Sequence, residues 1–149
     1  VLVALFISAQ RAFVSERRGR MASFRIITNN PLVKEKFGTV YDVEYEDVSY
    51  KEILLQVRAY IQSGHALLTH PLSGSIKPNE TPYKSVMIAA AAGTAADAES
   101  EGLIENSILS YETFTHPERI VPAAVAADYQ YVDFTLIAGA VESASRLGH

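Results

Sequence analysis

The sequence predicts an α/β fold, a three-layer Rossmann-like domain with a small, mainly parallel sheet, and three observations carry that expectation. Strand-patterned segments alternate with segments of helical periodicity, the order that builds parallel sheets flanked by helices. The chain has 149 residues, 48% hydrophobic and 20% charged, which suits one domain with a sizeable core. No internal repeat or Pro/Gly/Ser-rich linker divides it.

Residues 1–20 read as an N-terminal extension, with the single domain spanning 21–149. The apolar run 1–9 is followed by Arg11, Arg17, Arg18 and Arg20, whereas a secretory signal carries its positive charge before the apolar run. Such a run is also too short for a bilayer, which needs ~20 residues. Residues 24–28 (FRIIT) form the first expected strand. Asn29-Asn30-Pro31 supplies an N-cap and a proline suited to the first helical turn, so a short helix over 31–36 is expected to stop at Gly38. Residues 40–45 alternate as a half-exposed strand does.

The clearest element is a helix over 50–62. Ser49 and Glu52 make a capping box, Val48 and Ile53 occupy the staple positions, and Tyr50, Ile53, Leu54, Val57, Tyr60 and Ile61 share one face. Residues 65–70 (HALLTH) are expected to be a second buried strand and 83–90 a further one, with a polar loop between them. Leu103, Ile104, Ile108 and Tyr111 have helical spacing, preceded by Asp97, Glu99 and Glu101, which suit a solvated helix start. His116-Pro117 and Val121-Pro122 interrupt the chain. A last helix is expected from about Asp133, with Phe134, Ile137, Val141 and Ala144 on one face; residues 129–132 fit either a strand or an earlier turn of that helix. The small residues Ala138, Gly139, Ala140 and Ala144 admit a close neighbour, within the domain or across a homodimer.

Right-handed crossovers place the first strand beside the one ending at His70. The loops 29–31 and 70–83 then share the carboxyl edge of the sheet, where open α/β folds bind ligands.

Composition narrows the chemistry. The chain has no cysteine, which removes disulfides, thiolate nucleophiles, iron–sulfur clusters and cysteine zinc sites, and fits a cytoplasmic protein. With 13 basic and 17 acidic residues its formal charge is −4, and it lacks the basic face that neutralises phosphates, so no nucleic-acid partner is expected. No membrane partner is expected either. Neither a G-x-x-x-x-G-K-[S/T] loop nor a G-x-G-x-x-G turn is present, so no nucleotide cofactor is expected.

The segment from Thr69 to Lys84 is the most distinctive. Ser73, Gly74 and Ser75 offer donors, Lys77 or Lys84 supplies positive charge, and His70 can serve as acid, base or donor. With Asn29, Asn30, Asn79, Glu80 and Tyr83 they form a candidate anion site. The competing reading is a proline-stiffened turn in which Ser73 caps the chain, His70 bonds a carbonyl and the asparagines only cap a helix. A Ser–His–Asp arrangement with Ser73 or Ser75 lacks the G-x-S-x-G elbow. His65 and His70 would point to opposite faces of one strand, so no metal site is expected.

Residues 25–33 (RIITNNPLV), the helix after Ser49 and above all 65–85 (HALLTHPLSGSIKPNETPYKS) resemble the GrdX family, small proteins encoded alongside the glycine, sarcosine and betaine reductase systems of amino-acid-fermenting anaerobes. The resemblance runs from about Phe24 to the last helix; residues 1–20 lie outside it and the Ala-rich stretch 89–98 matches poorly. It implies a cytoplasmic accessory protein, with reductase components or another protein as a partner, and brings no assigned catalytic residues. A ligand-sensing protein taking a small anionic metabolite is the leading expectation. The alternatives are a small phosphate-handling transferase or hydrolase with His70 as acid–base, and a protein-assembly factor.

Overall fold

The computed structural model describes residues 23–72, 81–113 and 121–147. Its elements in chain order are β1 (Phe24–Thr28), α1 (Pro31–Phe37), β2 (Val43–Tyr45), α2 (Tyr50–Gln62), β3 (Ser85–Ala89), α3 (Ala98–Thr113) and α4 (Ala123–Leu147). The expected extension over residues 1–20 lies outside the described residues.

Among the described residues the fold is mixed α/β, four helices built on a three-stranded sheet of order β2-β1-β3. β1 runs parallel to β2, with Ile26 opposite Val43 and Thr28 opposite Tyr45. It runs antiparallel to β3, with Phe24 opposite Ala89 and Thr28 opposite Ser85. The mainly parallel, Rossmann-like arrangement therefore needs correction: one of the two pairings is antiparallel, because β3 turns back against β1.

The neighbour of β1 is also different from the one expected. β3 takes the place assigned to residues 65–70, and that segment flanks β3 on its far side through the single bridge Leu67 to Ile88. It is extended without being a regular strand, for a visible reason. Leu68 and Thr69 both donate to the Met87 carbonyl, while the Met87 N–H goes to the Thr69 hydroxyl at 2.9 Å. Leu67 N–H leaves the sheet for Ser100 Oγ at 2.9 Å. Side-chain hydroxyls have replaced the ladder.

Alternation along β1 divides the core between the two faces of the sheet. Ile26 packs with Val33, Leu68, Met87, Ile137 and Ala140, beneath α1 and α4. Ile27 packs with Ile53, Leu54, Val57, Leu67, Ile88 and Ile104, beneath α2 and α3. The helix starts follow local chemistry. Asn30 Oδ1 accepts from Leu32 N–H at 3.0 Å at α1, and Ser49 Oγ accepts from Glu52 N–H at 3.2 Å at α2. Asp97 accepts from Ser100 N–H at 3.2 Å at α3, which begins earlier than the 103–111 pattern implied. α4 begins directly after Pro122 rather than near Asp133, so residues 129–132 are helical. Among the described residues no helix is long and apolar enough to cross a membrane.

Candidate functional site

Because β3 is antiparallel to β1 and the segment 65–69 is antiparallel to β3, three chain ends meet at one end of the sheet. They are the residues after β1 (Asn29, Asn30), the residue after the extended segment (His70) and those before β3 (Tyr83, Lys84). The structure thus brings Asn29, Asn30, His70, Tyr83 and Lys84 to one place. Ser73, Gly74, Ser75, Lys77, Asn79 and Glu80 lie outside the described residues.

At the centre stands Asp133, on the buried stripe of α4. Its Oδ1 accepts from Ser85 N–H at 3.1 Å, and its Oδ2 accepts from Ser85 Oγ at 2.7 Å and from Asn30 Nδ2 at 2.9 Å. Thr28 Oγ1 lies 2.6 Å from Ser85 Oγ and accepts from Asn30 N–H at 2.9 Å. Thr28, Asn30, Ser85 and Asp133 are all buried. Each polar group in this set would be costly to bury alone, and their mutual hydrogen bonds offset that cost.

The two asparagines brace this end. Asn29 Nδ2 donates to the Val48 and Pro82 carbonyls at 2.9 and 2.8 Å, and its Oδ1 accepts from Lys84 N–H at 2.8 Å. Asn30 Nδ2 also donates to the Gln130 carbonyl at 2.9 Å while its Oδ1 caps α1. Both amide groups are thus committed to the fold, joining β1 to α2, α4 and the approach to β3. Tyr83 Oη accepts from Gln130 Nε2 at 2.9 Å, adding another tie to α4.

Two titratable side chains give this end its chemical character. Lys84 is 3% exposed; burial pulls its ammonium down from 10.5 to about 8, against the opposing attraction of Asp133. His70 is pushed below its ordinary value by burial first and by the Lys84 charge second. Its Nδ1 accepts from Leu72 N–H at 3.1 Å, which fixes the neutral ring with its proton on Nε2. A neutral imidazole, an ammonium whose pKa is lowered to about 8 and a carboxylate with ordered hydrogen bonds can together hold a small anion or move a proton.

His65 belongs elsewhere: its Nδ1 meets the Ala89 carbonyl at 2.8 Å, at the opposite end of the sheet. Among the described residues no group of three or more His, Asp or Glu is placed to hold a metal ion. Asp133, Thr28 and Ser85 did not stand out as candidates in the sequence. The available signal was an acid at 133 immediately before the buried positions 136, 137, 140, 141 and 144, a polar residue on an apolar helical stripe.

The GrdX family model, described as GrdX-like protein, matches residues 25–142. No curated protein and no solved structure matches the chain.

Proposed function

Because this chain belongs to the GrdX-like family, we propose that it is a cytoplasmic accessory protein of glycine, sarcosine and betaine reductase systems that binds a small anionic metabolite at the polar end of its sheet. The observation that supports this most is Lys84, a buried cation standing with Asp133 and His70 where three chain ends converge. A lysine in such a place is costly to desolvate, and an anion arriving beside it would add to the attraction that Asp133 supplies. His70 and Lys84 are the ligand-facing groups in this reading, and Asn29, Asn30 and Asp133 hold them in position.

A thermal-shift screen of phosphate, acetyl phosphate, nucleotides, glycine, sarcosine and betaine tests it, using wild type, His70→Ala and Lys84→Met. A ligand at 100 times its dissociation constant stabilises the fold by about 2.7 kcal/mol. A shift in wild type that both variants lose supports the site. Unchanged affinity in both variants removes it, and no shift with any ligand favours a protein partner at the same surface, in an assembly role.

A small phosphate-handling transferase or hydrolase is the second reading, favoured by the neutral His70 ring beside a cation. Turnover separates the two. An acid–base His70 predicts a loss of at least ~100-fold in rate for His70→Ala, whereas a binding protein converts none of these compounds.

A further inference from the structure

We propose that the apolar stretch 1–14 docks on its own domain, in the groove between α1 and α4. The inference does not draw on the anion-binding reading and concerns a different surface.

Phe37 at the end of α1, Tyr41 just after it, and Phe134, Ala138 and Val141 of α4 line a cleft of about 560 Å³. Phe37 packs edge-on against Tyr41 and tilted against Phe134, with ring centroids 5.4 and 5.3 Å apart. The three rings are half-buried, as is Ala138, so each packs inward on one side and leaves the other open. Rings flanking a small residue make a surface that larger apolar side chains can fill, and covering it removes apolar area from water.

Three observations name the occupant. The first is where the preceding chain arrives: β1 begins at Phe24, whose ring lies 5.4 Å from that of Tyr41, so the chain before β1 joins the domain at the wall of the groove. The second is its pattern and reach. Leu2, Leu5, Phe6, Ala9 and Phe13 recur at helical spacing on one face, an apolar stripe of the kind that seats in an apolar groove. The connecting residues 15–22 can extend over up to about 26 Å, whereas α4 from Phe134 to Ser145 is only about 17 Å long. The stripe can therefore reach any point of the groove. The third is charge: Glu142 is the charged side chain among the described lining residues, and Arg11, Arg17, Arg18 and Arg20 accompany the stripe. Complementary charge of this kind sets register. A tethered segment also meets the groove at an effective concentration on the order of millimolar, which favours it over a second copy of the chain in dilute solution.

The chain has no cysteine, so one introduced thiol reports on the groove. The full chain carrying Ala138→Cys is treated with a maleimide, with and without Leu5→Asp and Phe6→Asp. With the groove open in about a tenth of the molecules, the thiol should react about tenfold slower where Leu5 and Phe6 are intact. Leu109→Cys, exposed on α3, should react at one rate in both backgrounds, which separates release of the segment from a general loosening of the fold. Ser145→Cys carrying a benzophenone gives a second reading that leaves the segment unaltered: photolysis should join it to the tryptic peptide 1–11 within a single chain. Equal rates at position 138 in both backgrounds overturn the proposal, as does the absence of a cross-link to residues 1–14. A cross-link to a second chain overturns it too and assigns the groove to a homodimer.

Discussion

At one end of the sheet Thr28, Asn30, Ser85 and Asp133 join through buried side chains, while at the other Gly64 and Gly93 meet backbone to backbone. Gly93 N–H donates to the Gly64 carbonyl at 2.9 Å. Gly64 sits at φ 105°, and a Cβ there would lie 2.5 Å from the Gly93 carbonyl oxygen. Both ends connect the sheet to its surroundings, and the second carries His65 on the Ala89 carbonyl, but the buried lysine and aspartate stand at the first. Backbone contacts suffice to close a fold; a buried lysine and aspartate add desolvation cost and pH sensitivity, which is the argument for seeking function at that end.

Asp133→Ala should break the polar end most severely. It removes the acceptor of the Ser85 N–H and hydroxyl, one of the two acceptors of Asn30 Nδ2 and the negative charge that attracts Lys84, at a cost of about 3–5 kcal/mol, read by urea unfolding. Gly64→Ala should break the other end by about 2–3 kcal/mol, through the strained φ and the close carbonyl. With no shared partners, the two losses should add in the double variant; marked non-additivity would mean the ends are one cooperative unit.

The pH dependence sharpens the contrast. Lys84 binds its proton less tightly in the fold, about 8 against 10.5, so between these values the unfolded chain holds more protons and stability rises with pH. From pH 7 to 9.5 the Lys84 contribution should rise by about 2 kcal/mol, and Lys84→Met should lack that rise. Tyr45, Tyr60 and Tyr111 are held above the usual tyrosine value, chiefly by burial or, for Tyr60, by its bond to Glu44, and stay protonated in this window. Gly64→Ala should keep the full slope. The smallest effect belongs to Ser49→Ala, an exposed cap near the polar end: about 1 kcal/mol of stability, with ligand affinity unchanged in a titration.

The legible parts of the fold were those written in neighbouring residues. Ser49 and Glu52 announce α2, and Asn30-Pro31 announces α1. β1 was visible as a short apolar run bounded by Asn-Asn-Pro. What escaped depends on distant partners. Whether residues 65–70 form a strand is decided by the hydroxyls of Thr69 and Ser100, and the direction of β3 by its pairing with β1. At the candidate site, His70 and Lys84 were visible because their types are unusual in a polar loop. Asp133 was not, since its partner Asn30 lies 103 residues away in sequence.

That separation has a kinetic consequence. The chain must close a loop of 103 residues before Asn30 and Asp133 can touch, and such contacts are among the slowest to form. α2 can gather its first turn early, from residues next to one another, whereas the cluster around Asp133 waits for the C-terminal helix to dock. Occupancy of that cluster would then slow unfolding of the whole chain instead of tightening a single loop.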